Sequence, residues 1–244
     1  MIIKKDIIND IPLITYELDN NEEKPLLFFF HGFTGNKDEL MGRGEVLANL
    51  GFYVVAIDAY LHGERMPDWF KAIPNEEKYQ YIIDITIQTA KDAKDLWENV
   101  YKNSPKIKGD KFFTYGVSMG AMTSYGLSTI TKDIKAMVTL VGSPSYVEYY
   151  KDRQTKYNWD DSVVLDRLEK YQSIDPLLNP NLVDENIKLF MALGSKDDVV
   201  YPKYSRKFYQ VRNKNTILKE YDTGHMSTTE MLDDSYNFLK LFLW

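Results

Sequence analysis

Short runs of apolar residues, separated by longer amphipathic stretches, constrain the fold of this chain more than any other feature of its sequence. The runs LLFFF at 26–30 and FYVVAI at 52–57 contain no charged residue and leave neither face of a strand suited to water. Strands of this kind belong to parallel sheets that are covered by helices on both faces. The stretch 76–101 has apolar residues at spacings of three and four, as a helix on such a sheet requires. The alternation predicts an α/β fold with a mostly parallel central sheet and helices on both faces.

The same patterns predict the remaining elements. The predicted strands are 2–8 and 12–18, an antiparallel pair around an Asn9-Asp10 turn, and then 26–32, 52–58, 111–117, 135–142, 187–194 and 216–222. The predicted helices are 38–50, 76–101, 119–130, 161–172, 203–211 and 228–242. Because the length suits one large domain and the chain has no internal repeat, we expect residues 1–244 to form a single domain.

One segment, 143–186, is too long for a simple connection between two strands. It contains several aromatic side chains, among them Tyr146 and Tyr149, and a helical pattern near 161–172. We interpret it as a lid or cap insertion over the strand ends, because long loops in compact domains are often functional. The alternative is an ordinary crossover helix with a long tail.

Composition excludes several classes of function. The net charge is −6 and no basic patch is visible, so we expect no nucleic-acid partner. The chain has no cysteine, which excludes disulfides, thiolate nucleophiles and iron–sulfur clusters. No signal peptide is recognisable, and the apolar runs fall far short of the roughly 18 residues needed to span a bilayer. We therefore expect a cytoplasmic protein without a membrane partner.

The pentapeptide GVSMG at 116–120 is the strongest chemical signal. It follows a predicted strand and opens a predicted helix, which is the setting of a nucleophile on a strained strand-to-helix turn. Larger side chains two positions before and after Ser118 would clash, so both positions need glycine. The helix start would also offer the Met119 N–H to a developing oxyanion. The alternative is a glycine-rich turn with an incidental serine.

A serine hydroxyl needs a base, and the base needs an acid to orient it. His225 follows the last predicted strand, and Asp197 and Asp198 follow the strand before it. All lie where strands end at the carboxyl edge, so a Ser118–Asp–His225 triad is predicted. The order nucleophile, acid, base differs from the orders of chymotrypsin and subtilisin.

A second oxyanion donor is expected from HGFTG at 31–35, which ends the strand at 26–30. Gly32 permits a sharp turn there, and the Phe33 N–H would converge with that of Met119. The alternative is a simple turn.

These motifs resemble those of the serine α/β-hydrolases, and more narrowly small bacterial esterases related to the prolyl-oligopeptidase catalytic domain. The resemblance covers about residue 25 to the C-terminus and includes, in the family's order, HGFTG, the D-x-x-x-HGER stretch 58–65, GVSMG, G-x-x-D-x-x-V at 194–200 and GH at 224–225. It implies an α/β-hydrolase fold with Ser118 as nucleophile and His225 as base. It also implies Asp197 rather than Asp198 as the acid, because the family's acid stands three residues after the glycine.

The resemblance implies a serine carboxylesterase, with a small-molecule ester as its partner and with no metal or organic cofactor. The aromatic residues of 143–186 and Phe33 favour an apolar pocket for a small to medium acyl chain. The alternatives are a peptidase of prolyl-oligopeptidase type and a binding protein that has kept the fold without turnover. Candidate substrate contacts are Phe33, His62 and Tyr146. For LHGER at 61–65 we favour a structural role, in which Glu64 and Arg65 hold the loop by ion pairing. The alternative is that His62 or Arg65 lines the acyl or alcohol side of the pocket.

Overall fold

A computed structural model of the protein describes residues 1–243, apart from the side chains of Asp161 and Val163. Within these residues, eight strands form one sheet. They are β1 Ile2–Ile8, β2 Ile11–Glu17, β3 Leu26–Phe30, β4 Tyr53–Ile57, β5 Phe112–Val117, β6 Ile134–Leu140, β7 Lys188–Gly194 and β8 Thr216–Tyr221. Their order across the sheet is β1-β2-β4-β3-β5-β6-β7-β8. The first two pairings are antiparallel and all the others are parallel, so the predicted α/β fold class is confirmed.

Helices follow most of the parallel strands. They are α1 Met41–Leu50, α2 Asp68–Ala72, α3 Asn75–Lys78, α4 Ile82–Leu96, α5 Met119–Ile130, α6 Tyr146–Tyr157, α7 Asp161–Gln172, α8 Lys203–Val211 and α9 Thr229–Lys240. Single helical turns at Lys37–Leu40, Gly63–Arg65, Tyr79–Tyr81, Trp97–Tyr101 and Pro180–Leu182 complete the described elements. The helix predicted for 76–101 is therefore a succession of shorter pieces, because the chain tightens at Tyr79–Tyr81 and widens at Trp97–Tyr101.

The two faces of the sheet carry separate apolar layers. One layer joins alternate side chains of the central strands to α4, α5 and α8, with Trp97 and Phe208 fully buried. The other joins the opposite faces of those strands to α1 and α9, with Leu47 and Met231 fully buried. Both faces of the central strands are shielded from water. For this reason the sequences of these strands are uninterrupted apolar runs.

Segment 143–186 folds as α6 and α7 with a final helical turn at Pro180–Leu182. A third apolar cluster joins α6 and α7 to the start of α4 and to Met119 and Met122 of α5. Because α5 begins at the carboxyl end of β5, the segment lies on the side of the sheet where ligands bind in this architecture. Whether it acts as a lid stays a prediction.

The carboxyl ends of the central strands place the chemically interesting residues at one edge. Gly32 follows β3, Ser118 follows β5, Asp197 follows β7 and His225 follows β8. Among residues 1–243, no helix has the length and apolar character needed to cross a bilayer.

Candidate active site

Ser118 stands on a sharp turn between β5 and α5. Its backbone has φ +54° and ψ −114°, a conformation that is strained for a residue with a side chain. A Cβ on Gly116 would lie 2.2 Å from the Gly120 carbonyl oxygen, and a Cβ on Gly120 would lie 2.2 Å from that of Phe30. The steric need for both glycines, expected from the sequence, is therefore confirmed.

The hydroxyl of Ser118 is hydrogen-bonded to His225, which is hydrogen-bonded to Asp197. Ser118 Oγ lies 2.8 Å from His225 Nε2, and His225 Nδ1 lies 2.7 Å from Asp197 Oδ2. An ionised aspartate has no proton to donate, so His225 Nδ1 is the donor in this pair. In the neutral imidazole Nε2 then has no proton and can accept a hydrogen bond from the Ser118 hydroxyl. This is the geometry that a nucleophile, a base and an orienting acid require.

Asp197, and not Asp198, contacts the histidine. The Asp197 side chain is 2% exposed, and its Oδ1 accepts hydrogen bonds from the N–H groups of Val199 at 2.9 Å and Val200 at 2.8 Å. Asp198, the next residue, is exposed. The backbone donors fix the carboxylate so that its second oxygen faces His225.

The HGFTG turn approaches Ser118 from β3. A Cβ on Gly32 would lie 3.7 Å from Ser118 Cβ, so this turn runs directly beside the hydroxyl. Among residues 1–243, the Phe33 N–H has no hydrogen-bond acceptor. Met119 is the first residue of α5, where the backbone N–H has no acceptor within the helix. The assignment of these two N–H groups to an oxyanion stays a prediction.

Two buried histidines hold the HGFTG turn. His31 Nδ1 donates to the Gly32 carbonyl at 2.8 Å, and its Nε2 accepts from the Ala59 N–H at 3.0 Å. His62 Nδ1 donates to the Tyr60 carbonyl at 3.0 Å, and its Nε2 accepts from the Thr34 N–H at 3.2 Å. These partners assign both rings as neutral.

Burial favours the same neutral form in both rings. It lowers the pKa of His31 to about 4 and lowers the pKa of His62 below its usual value. The two rings therefore connect the turn to the loop after β4 without carrying charge at neutral pH.

The LHGER stretch has the structural role that we favoured. Asp58 is fully buried and accepts hydrogen bonds from Lys37 Nζ at 3.0 Å and from the Glu64 N–H at 2.9 Å. The Lys37 ammonium also pairs with the Glu64 carboxylate at 2.5 Å, and Arg65 pairs with Asp92 of α4 at 2.7 Å. Glu64 and Arg65 thus hold the loop through separate ion pairs.

A cavity of about 580 Å³ opens beside Ser118. Most of its wall is apolar or aromatic, with Phe33, Met119 and Tyr149 contributing large side chains. His225 lies on the wall, whereas Asp197 lies behind it. Among residues 1–243, no group of histidine and acidic side chains is arranged to hold a metal ion.

The chain is similar in sequence to proteins of a known family. The family model described as "Prolyl oligopeptidase family" matches residues 39–229. A Bacillus subtilis protein named "Putative esterase YitV" is 31% identical over 217 residues, which cover 85% of this chain and 82% of that protein. The chain belongs to the prolyl oligopeptidase family.

Solved structures share the fold of this prolyl oligopeptidase family member. Thermus thermophilus TT1662 matches with a TM-score of 0.69 and 20% identity, covering 100% of this chain and 99% of that one. The Pyrococcus furiosus esterase Pf2001 matches with a TM-score of 0.67 and 21% identity, covering 99% and 92%. A puromycin-hydrolyzing peptidase from Mycobacterium tuberculosis matches with a TM-score of 0.71 and 15% identity, but this chain covers only 38% of it.

Two of the three residues that the sequence predicted as substrate contacts do not lie on the cavity wall. Phe33 lies on the cavity wall, whereas His62 does not, because both of its ring nitrogens are engaged by backbone groups. Tyr146, the first residue of α6, is fully buried, and its hydroxyl donates a hydrogen bond to the Met122 carbonyl of α5 at 2.8 Å. Tyr149, one helical turn further on, faces the cavity in its place.

The cavity wall also contains residues that sequence reasoning missed, notably Arg43 of α1 and Tyr79 before α4. Neither lies next to a recognisable motif. The sequence did contain a signal for the start of α6, the helix that carries Tyr149. Ser145 and Glu148 form an S-x-x-E capping pattern, and Ser145 Oγ accepts a hydrogen bond from the Glu148 N–H.

Proposed function

We propose that this protein is a serine carboxylesterase that hydrolyses small to medium acyl esters through an acyl-enzyme intermediate. The observation that carries the proposal is the continuous hydrogen-bonded series from Ser118 through His225 to the buried Asp197. A serine without such a base is a weak nucleophile, and this arrangement supplies the base together with its orientation.

The proposed reaction has two stages. Ser118 Oγ attacks the ester carbonyl carbon while His225 Nε2 takes the hydroxyl proton. His225 then gives that proton to the leaving alcohol as the tetrahedral intermediate collapses to an acyl-enzyme. A water molecule, deprotonated by the same nitrogen, attacks the acyl carbon, and the acid leaves as Ser118 recovers its proton.

The N–H groups of Phe33 and Met119 stabilise the negative oxygen that forms at each tetrahedral stage. Their fixed positions support this role, since the first lies on a turn held by His31 and His62 and the second on a helix start. Donors that are already oriented need no rearrangement when charge develops, and this makes them effective.

The cavity supports a small or medium acyl group. About 580 Å³ is within the range of small-molecule sites, and its mostly apolar wall suits an uncharged acyl chain. The esterase names of the Bacillus subtilis relative and of the Pyrococcus furiosus structure point the same way.

Hydrolysis of p-nitrophenyl esters from acetate to decanoate tests the proposal, with Ser118→Ala measured beside the wild type. We expect turnover in the wild type with an optimum at short to medium chains. The variant should lose on the order of 10⁴-fold or more in kcat, because nucleophile and base act as a unit. A folded wild type that turns over none of these esters would contradict the proposal.

A peptidase activity is the second candidate, and membership in the prolyl oligopeptidase family favours it. Turnover of a p-nitroanilide against the matching p-nitrophenyl ester distinguishes the two, since they share the acyl group. Failure of a fluorophosphonate to label Ser118 would instead favour a binding protein without turnover.

A further inference from the structure

The cavity beside Ser118 contains a guanidinium group from outside the motifs. Arg43 lies in the first turn of α1 and contributes to the cavity wall together with Ser118 and His225. Its side chain is half-buried, and Nη2 donates to Ser227 Oγ at 2.9 Å. A guanidinium has five N–H donors, so most of its hydrogen-bonding capacity remains open.

The described part of the chain supplies no counter-charge for this group. Within residues 1–243, no carboxylate oxygen lies within 4.0 Å of the Arg43 guanidinium, and no aspartate or glutamate lies on the cavity wall. The guanidinium interacts electrostatically with the phenols of Tyr115 and Tyr236. Burial raises the pKa of both phenols above their usual value, so they are neutral at pH 7.

A second guanidinium lies behind the same wall. Arg153 of α6 is 1% exposed, stacks on the rings of Tyr79 and Tyr149 and donates to the Val199 carbonyl. Among the described side chains it has no carboxylate partner within 4.0 Å. Arg153 thus faces aromatic rings and a backbone carbonyl, whereas Arg43 is the guanidinium on the cavity wall and has no ion-pair partner among the described residues.

The position of Arg43 relative to His225 indicates which part of a substrate it meets. Its partner Ser227 stands two residues after His225, which gives its proton to the leaving alcohol in the proposed reaction. The guanidinium is thus hydrogen-bonded to the loop that carries His225, which in the proposed reaction is the loop that faces the leaving alcohol. One unbalanced cation matches a singly charged carboxylate better than a phosphate dianion, and arginine binds carboxylates with two parallel hydrogen bonds.

We infer that the natural substrate is an ester of a hydroxy acid, whose free carboxylate binds Arg43 while its alcohol oxygen leaves toward His225. The inference rests on the proposed esterase function and names the substrate class of that site.

A matched pair of esters tests the inference. 4-Acetoxybenzoate carries a carboxylate on the alcohol part, and methyl 4-acetoxybenzoate is its uncharged counterpart. The measured quantity is the ratio of kcat/KM for the first ester to that for the second, in the wild type and in Arg43→Gln. We expect the ratio to fall by about tenfold or more in the variant, because a hydrogen bond to a charged group is lost for one substrate only.

Arg206→Gln is the matched control, since it removes the same charge from the surface pair with Glu220. Its ratio should equal that of the wild type. A ratio that is unchanged in Arg43→Gln would overturn the inference. If kcat/KM had then fallen equally for both esters, Arg43 would only position the loop after His225.

Monomethyl and dimethyl succinate test the assignment to the alcohol part, because there the charge lies on the acyl side. The ratio for this second pair should not respond to Arg43→Gln. A response confined to the succinate pair would overturn the assignment.

Binding separates failure of this inference from failure of the proposed function. Calorimetric titration of Ser118→Ala with both acetoxybenzoates should give tighter binding of the carboxylate, and Ser118→Ala combined with Arg43→Gln should lose that preference. A wild type without turnover whose Ser118→Ala variant shows this preference would contradict the esterase proposal alone. Equal affinities would contradict the inference whatever the turnover.

Discussion

Two regions of the molecule use histidine in opposite ways. In the turn after β3, His31 and His62 are buried, and every ring nitrogen is hydrogen-bonded to a backbone group. In the loop after β8, the side chain of His225 is 22% exposed and its nitrogens face a hydroxyl and a carboxylate. The first region keeps its rings neutral and fixed by backbone groups, whereas the second has a partly exposed ring whose partners are both side chains. Burial and hydrogen-bond partners, rather than residue type, separate the scaffold from the proposed base.

Replacing His225 should give the largest effect. We expect His225→Gln to lower kcat for p-nitrophenyl acetate by about 10⁴-fold, because Ser118 loses the acceptor of its proton. The thermal unfolding midpoint should change little, since the ring is partly exposed. A variant that keeps more than a tenth of wild-type turnover would remove the contrast between the two regions.

Replacing the acid should have the next largest effect. Asp197→Asn is expected to lower kcat by about 10³-fold or more, because an amide at this position favours the wrong tautomer of His225. Asp198→Asn is the matched control and should stay within about twofold of the wild type, as its side chain is exposed. The reverse ranking would assign the acid to Asp198.

A buried ring of the first region should affect both stability and rate, but more modestly. His62→Ala leaves the Thr34 N–H and the Tyr60 carbonyl without partners, and we expect the free energy of unfolding to fall by about 1–3 kcal/mol. kcat should fall by less than the ~100-fold that the loss of an oxyanion donor costs. Urea unfolding and ester turnover measure the two effects; an unchanged unfolding curve would contradict the scaffold role.

The smallest expected effect is on the pH dependence of the free energy of unfolding, and it tests the neutral state of His31 alone. Unfolded, His31 binds a proton below about pH 6.5, whereas in the folded protein its pKa is about 4. Its contribution to stability is therefore complete above pH 6.5 and is lost as the pH falls from 6.5 toward 4. Between pH 6.5 and 5 the wild type should lose about 2 kcal/mol more unfolding free energy than His31→Gln. Parallel pH profiles from urea unfolding would contradict this.

Much of the arrangement could be predicted from the sequence, because the carboxyl edge of a parallel sheet collects the residues that follow its strands. Ser118, Asp197 and His225 each stand within four residues of the end of a parallel strand, so the fold fixes their proximity before any side chain is considered. The glycines around Ser118 were predictable because their cause is local and steric.

Contacts between distant loops could not be predicted. Nothing near His62 indicates that its ring accepts from Thr34, a residue 28 positions earlier. The choice between Tyr146 and Tyr149 likewise depends on how α6 is rotated about its axis, which adjacent aromatic residues do not determine. Arg43 belongs to a helix whose sequence has no unusual feature, and only the tertiary fold brings it to the cavity.

The tight turn at Ser118 has a consequence for the history of this chain. Both flanking glycines face backbone atoms, so neither position can accept a side chain without a shift of the neighbouring backbone. Descendants of the protein can therefore adopt new substrates only by exchanging residues elsewhere, on α6 or along the cavity rim. Substrate specificity can therefore change during evolution while the residues around Ser118 stay the same.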